Sequence, residues 1–411
     1  MYLCSAKTIV MSSDELLSLQ EKYHKKLSLV DMSFKRYLYD RINWDVRLIG
    51  IKGARGVGKT TLLLQRIKLA FANPDDAFYV SLDDLWFQNH SLDELAQWLN
   101  SRGVTHLFLD EVHKYPLWSR ALKNLYDTYS DLNVVYTGSS MLEIDHSKAD
   151  LSRRQTLYTL NGMSFREYLE FEGVANLPAL SLDDLLANHV VKAMEIVPKM
   201  KVIRYFNDYL RRGCYPFYKD SGADFLLRLE ETAQVVLEMD LPAVEEVTYQ
   251  TIQKAKSLLM IIAKNVPLEP NIQTLVTELE TTRDLCLKLL YALDRAGLLL
   301  LLTNEPKSYK HLVKPKKIYL GNTNLMHAFA PSAEVGTQRE TFFLNQVGAV
   351  AEVVMPKQGD FKVNGKYLFE VGGSNKTFDQ IANVPESYLA VDDTEIGYGN
   401  RIPLWMFGLL Y

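Results

Sequence analysis

Gly53-Ala54-Arg55-Gly56-Val57-Gly58-Lys59-Thr60 constrains this chain more than any other stretch. It has the spacing G-x-x-x-x-G-K-T, follows the apolar run Val46 to Ile51, and leads into Thr61-Leu62-Leu63-Leu64-Gln65-Arg66-Ile67, which has helical spacing. A strand, a glycine-rich turn and a helix in that order form a phosphate cradle. The glycines let backbone N–H groups close around an anion, and the helix N-terminus adds positive potential. Residues Gly53 through Thr61 would line it, with Lys59 reaching the terminal phosphates and Thr60 offering its hydroxyl to Mg²⁺. The alternative is an ordinary glycine turn before a helix; the flanking strand and helix favour the cradle.

At 411 residues the chain exceeds one compact core and predicts two to four domains. A net charge of −4 excludes a chain that coats nucleic acid through its overall charge, so such contact must come from a local patch. Cys4, Cys214 and Cys286 are far apart and have no metal-site spacing, which points to a reducing compartment. The apolar run Leu298–Leu302 is far short of a membrane span, and Met1–Val10 is not a convincing signal peptide. The chain reads as cytoplasmic, with no membrane partner.

Residues 12–40 read as helix from the recurrence of Tyr23, Leu27, Val30, Phe34 and Leu38. Strands are then expected at Val46–Ile51, Ala77–Leu82, Thr105–Leu109, Asn133–Thr137 and Thr156–Leu160. Helices are expected at Lys59–Phe71, Ser91–Ser101 and Pro116–Tyr129. That alternation predicts an α/β domain with a parallel sheet. Leu107-Phe108-Leu109-Asp110-Glu111 ends a buried strand in two carboxylates at the sheet edge where ligands of such folds bind. Asp110 would hold Mg²⁺, directly or through water, and Glu111 would polarise an attacking water. Thr137 and Ser139, at the end of the next strand, would face the γ-phosphate or that water, or else form a plain Gly-Ser turn. Arg154, beside Arg153, is a candidate charge-stabilising arginine, in cis or from a neighbouring subunit, which leaves an oligomer open.

Asp110-Glu111-Val112-His113-Lys114-Tyr115-Pro116-Leu117-Trp118-Ser119, Thr137-Gly138-Ser139-Ser140 and Leu160 through Ser164-Phe165-Arg166-Glu167-Tyr168-Leu169 appear in that order. In this the chain resembles prokaryotic AAA-like P-loop ATPases of the archaeal-type group, over nearly all its length after residue 40. The resemblance implies a P-loop core, a helical lid, a winged helix and a C-terminal restriction-endonuclease-like domain. It also implies ATP as ligand, and an adenine-side contact at Pro216 in Gly213-Cys214-Tyr215-Pro216, where one glycine of the family's segment is replaced. The guanine-reading Asn-Lys-x-Asp is absent.

The expected organisation is an N-terminal helical segment (1–40), an ATPase core (41–160), a helical lid (161–245), a winged helix (246–330) and a small α/β domain (331–411). Three helices, a basic hairpin and its strands support the winged helix. Its wing carries Lys307, Lys310, Lys314, Lys316 and Lys317, a density suited to a DNA backbone, although winged helices also contact proteins. In the last domain, Glu340, Asp360 and Glu370 resemble a nuclease's acidic set. Gly372 stands where that pattern wants lysine, with Lys376 as a substitute. A two-residue Asn-Gly turn would set Asp360 opposite Phe369, whereas a three-residue loop would set it opposite Glu370. The expected function is an ATP-binding and ATP-hydrolysing switch, with a silent nuclease-like domain that binds a partner protein. The alternatives are a DNA-binding module for which ATP is only a conformational ligand, an ATP-regulated Mg²⁺ nuclease, and an interaction scaffold.

Overall fold

The computed structural model describes residues 13–138, 151, 153–242, 247–306 and 312–411. They form two compact units. The first runs to Lys52, resumes over Lys59–Gly138 and closes at Thr159; the second takes Gly53–Gly58 and Leu160–Tyr411.

The first unit is built on β1 (Leu48–Lys52), β2 (Ala77–Ser81), β3 (His106–Asp110), β4 (Asn133–Gly138) and β5 (Thr156–Thr159). Their spatial order is β2-β3-β4-β1-β5, and every pairing is parallel. A parallel sheet covered on both faces selects continuous apolar runs. The buried Leu48-Ile49-Gly50-Ile51 of β1 and Val134-Val135-Tyr136 of β4 are such runs. Its helices are α1 (Ser13–Leu29), α2 (Lys59–Ala70), α3 (Leu92–Ser101) and α4 (Trp118–Thr128). Helix α3 begins with a capping box: Ser91 Oγ accepts from the Glu94 N–H at 3.2 Å, and the Glu94 carboxylate accepts from the Ser91 N–H at 2.6 Å.

The helix expected over 12–40 is shorter, because α1 stops at Leu29. Asp31 accepts both the N–H and the hydroxyl of Ser33 at 2.8 Å, a local bond that competes with helical pairing. Buried Gln65 of α2 then pins this segment by donating to the carbonyls of Asp31 and Phe34, each at 2.7 Å.

The second unit is mostly helical from Phe165 to Asp240, opened by a Ser164–Glu167 capping box. Helices Tyr249–Lys264, Ile272–Glu278 and Arg283–Arg295 follow, N-capped by Thr248, Asn271 and Thr282. After them β6 (Leu299–Leu302) pairs antiparallel with β7 (Lys317–Leu320), and Leu268 bridges to Ile318. The helix Arg283–Arg295 is buried from Cys286 to Asp294 except at Lys288. Tyr291 OH donates to the Val313 carbonyl at 2.9 Å and ties the chain beyond β6 to that helix.

A mixed sheet of order β12-β11-β10-β9-β8 comes next: β8 (Val353–Val354), β9 (Phe361–Val363), β10 (Tyr367–Gly372), β11 (Ser387–Val391) and β12 (Arg401–Pro403). Helix Val335–Gly348 sets Phe343 against Phe361, Phe369 and Phe407, with ring centroids 5.1, 5.0 and 4.8 Å apart. Phe361 faces Phe369 and Val363 faces Tyr367, so Asn364-Gly365-Lys366 is a three-residue loop and Asp360 lies opposite Glu370. The two-residue alternative is thereby overturned. Asn364 and Gly365 take left-handed conformations, φ 50° and 66°, and the Lys366 N–H returns to the Val363 carbonyl at 3.0 Å. Among the described residues no helix is long and apolar enough to cross a membrane. Cys214 and Cys286 are buried thiols outside any disulfide.

Candidate functional site

Strand β3 ends in Asp110, a residue only 3% exposed. A carboxylate that deep needs donors on its oxygens. Three hydroxyls supply them. Thr60, at the start of α2, donates to Oδ2 at 2.6 Å; Tyr79, on β2, donates to Oδ2 at 2.9 Å; Thr137, on β4, donates to Oδ1. The sheet order makes this possible, because β3 lies between β2 and β4. A hydroxyl that gives its proton to Asp110 keeps its lone pairs for a cation. Burial, and after it the charge of Asp110, pushes the Tyr79 phenol far above its usual pKa, so it remains a proton donor.

Thr137 lies at the end of β4, beside Asp110. It is fully buried, and its hydroxyl gives its proton to Asp110 while standing 3.4 Å from the Glu111 N–H. Ser139 lies outside the described residues. Glu111 sits at φ 54°, ψ 44°, a conformation that is uncommon away from glycine and that clusters at functional turns. Its carboxylate is 3.4 Å from Nε2 of the buried His113. Lys59 is buried and Thr61 is exposed. Arg154 is paired with Asp127 of α4 through contacts of 3.0 and 3.2 Å, so it is not one of the groups around Asp110. Sequence reasoning missed Tyr79, since a tyrosine in an apolar strand carries no signal apart from core packing.

In the second unit, Gly56 and Gly58 have φ of 85° and 96°, a region open to glycine. A side chain at Gly56 would also meet the Phe217 ring at 2.7 Å. Half-buried Pro216 lies between Phe217 and Tyr215. Tyr215 OH accepts from Asn322 Nδ2 at 2.9 Å, and the Cys214 N–H donates to Asn324 Oδ1 at 2.8 Å, which fixes this segment. Ala54, Arg55, Tyr215, Val236, Gly297 and Leu325 line part of a small pocket.

The carboxylates of the mixed sheet form a second cluster. Glu340 accepts from Tyr319 OH at 2.5 Å and from Lys317 Nζ at 3.4 Å. Asp360 accepts from the Val371 N–H at 2.8 Å, and buried Glu370 pairs with Lys376 Nζ at 2.8 Å. The stem of Lys376 crosses Gly372, where a side chain would meet its Cγ and Cδ at 2.8 Å. Lys317 therefore leaves the set expected to face nucleic acid: its side chain is 17% exposed and its ammonium turns to Glu340. Lys314 and Lys316 are exposed, while Lys307 and Lys310 lie outside the described residues. Among the described residues no group of three or more His, Cys, Asp or Glu is arranged to hold a metal ion.

Burial pushes up the pKa of both Glu340 and Asp360, and the neighbouring Glu370 raises Asp360 further. A carboxyl raised in the folded chain favours folding below its unfolded pKa, and that contribution is lost as pH rises through the folded value. Asp360→Asn removes the charge and keeps an acceptor for the Val371 N–H. It is expected to raise the Tm at about pH 7 and to give no gain at about pH 3, below the unfolded carboxylate range. A lowered Tm at neutral pH would show that the charge itself holds the cluster together.

Comparison with known proteins bears on the first unit most directly. Residues 45–169 match the family model described as an AAA domain. An uncharacterised protein of Methanocaldococcus jannaschii is 28% identical over 335 residues, which is 75% of this chain and 70% of that protein. A second uncharacterised protein of the same organism is 28% identical over 171 residues, 40% of this chain and 35% of its own length. The solved Walker-type ATPase of Pyrococcus abyssi aligns with 72% of this chain and 95% of its own, at a TM-score of 0.40 and 12% identity. The residues that match the AAA-domain model include both the glycine loop and the strands of the five-stranded parallel sheet.

Proposed function

We propose that the chain binds ATP with Mg²⁺ and hydrolyses it. The observation that carries this reading is the 2.6 Å hydrogen bond from Thr60 to Asp110, by which two motifs 50 residues apart meet at one carboxylate. The positive-φ glycines fit a phosphate cradle, and the lone pairs left on Thr60 fit a hard cation. Lys59 would pair with the β- and γ-phosphates, with Thr60 and Asp110 on the metal side. Mg²⁺, when bound, neutralises charge developing on the transferred phosphoryl group. Glu111 would leave His113 to accept a proton from the attacking water, and Thr137 would keep both acids oriented. A stabilising arginine is assigned to no residue here, since Arg154 is engaged with Asp127.

Lys59→Ala is expected to abolish ATP binding, or weaken it severely, in an equilibrium titration. Glu111→Gln is expected to keep ATP binding and to slow hydrolysis by two orders of magnitude or more, on the order of 10²–10⁴-fold for lost general-base action. Wild-type turnover in Glu111→Gln would remove the water-activating role and leave the binding site standing.

A second reading concerns residues 246–330 as a winged helix that touches a nucleic-acid backbone. It is supported by the exposed Lys314 and Lys316 on an acidic chain. The burial of helix Arg283–Arg295 argues against base reading, so contact would fall on phosphates, through the hairpin. Residues 331–411 are read as a nuclease-shaped but silent domain whose carboxylates are occupied by Lys317, Lys376, Tyr319 and backbone. Mg²⁺-dependent cleavage lost in Glu370→Ala but kept in Lys59→Ala would overturn that. Changing Lys314 and Lys316 to Ala is expected to weaken duplex binding equally across sequences. Each lost contact should lower the log–log salt slope by about 0.9. A wild-type chain without affinity for DNA at low salt, with or without ATP, would assign the hairpin to protein contact.

A further inference from the structure

Helix α1 has no part in the function proposed above, yet it grips β2 at three places. Tyr23 OH donates to the Pro74 carbonyl at 2.9 Å just before the strand, and the Tyr23 and Phe78 rings lie 5.5 Å apart. Lys22 Nζ holds Asp84, just beyond the strand, at 2.7 and 3.0 Å. Between these anchors Lys26 Nζ donates to Tyr79 OH at 3.3 Å and stands 5.1 Å from the centre of that ring. The same hydroxyl gives its proton to Asp110 Oδ2. A cation on α1 is thus joined through one phenol to the buried carboxylate that also binds Thr60.

We propose that Tyr79 is a positioning residue for Asp110, and that Lys26 makes the docking of α1 and the binding of Mg²⁺–nucleotide mutually dependent. The inference rests on the nucleotide reading of the site and adds the coupling. Asp110 has two oxygens, and Tyr79 and Thr60 share one of them. With the phenol gone, Oδ2 keeps Thr60 alone, Thr137 still holds Oδ1, and the carboxylate is fixed by two hydroxyls instead of three. Outer partners of a metal-holding carboxylate typically matter by about 10–100-fold in metal affinity. Lys26 polarises the phenol and strengthens the bond it donates. By linkage, whatever α1 gives to the metal side, the metal side returns to α1.

Tyr79→Phe keeps the ring and its packing and deletes only the hydroxyl. Full-length Tyr79→Phe, titrated with Mg²⁺ at fixed ATP, is expected to need about tenfold more Mg²⁺ for half-saturation of nucleotide binding. Its ATP affinity in excess chelator should match wild type, a split that general loosening of the fold would not produce. Lys26→Met is expected to shift Mg²⁺ half-saturation the same way by a smaller factor, about threefold. Hydrogen exchange of α1 amides should slow on adding Mg²⁺–ATP to wild type and stay unchanged in Tyr79→Phe. An unaltered Mg²⁺ half-saturation in folded Tyr79→Phe would overturn the positioning role, and an unaltered one in Lys26→Met would overturn the coupling to α1. If the wild-type chain binds no nucleotide, the site reading fails instead. A thermal double-mutant cycle of Tyr79→Phe with Asp110→Asn then decides the contact: non-additive losses sustain it and additive losses overturn it.

Discussion

The first unit depends on how one buried carboxylate is satisfied. Asp110 sits at the end of β3, almost inaccessible to solvent, and an unanswered charge there would cost several kcal/mol, on the order of the whole stability of a domain. The answer comes from hydroxyls on β2, α2 and β4, elements far apart in the chain that only the sheet order brings together. None of the three donors is charged. Hydroxyl donors leave the charge of this carboxylate to a bound cation, while each oxygen is oriented before any ligand arrives.

The strain at Glu111 belongs to the same arrangement. A left-handed, non-glycine residue directly after Asp110 turns the chain away from β3, and Thr137 stands near its N–H as it does near Asp110. Left to itself this conformation costs about 1–3 kcal/mol, so it is held by what surrounds it. The turn puts the carboxylate of Glu111 beside His113. In the second unit the chain also meets a demand that selects glycine: the backbone of Gly56 runs against the Phe217 ring with no room for a side chain.

Much of the first unit was legible because its signals are local. Ser91 and Glu94 cap α3 within four residues, and β1 and β4 announce themselves as apolar runs. The glycine loop and Asp110 were legible as types of residue at fixed offsets. What escaped was set by contacts across the fold. Tyr79 is one of 23 tyrosines, and nothing near it in sequence distinguishes a phenol that reaches Asp110 from one that fills core. Lys317 reads as one of five wing lysines until β7 turns it toward Glu340. The α1 stop at Leu29 depends on an Asp31 side chain choosing Ser33 over the helix, a competition that periodicity ignores. The sequence Asn364-Gly365-Lys366 allows two hairpin lengths, and the paired register Val363–Tyr367 decides for the longer.

The central claim is that the Thr60–Asp110 pair serves one nucleotide. Native mass spectrometry of the full chain in the presence of Mg²⁺ and ATP tests this without assuming turnover. The account predicts a mass increase of one ATP, or ADP after hydrolysis, per chain, saturating at a single equivalent and undiminished by a large excess of GTP. A chain that keeps its bare mass at every ATP concentration, or that takes up GTP in preference, would contradict it.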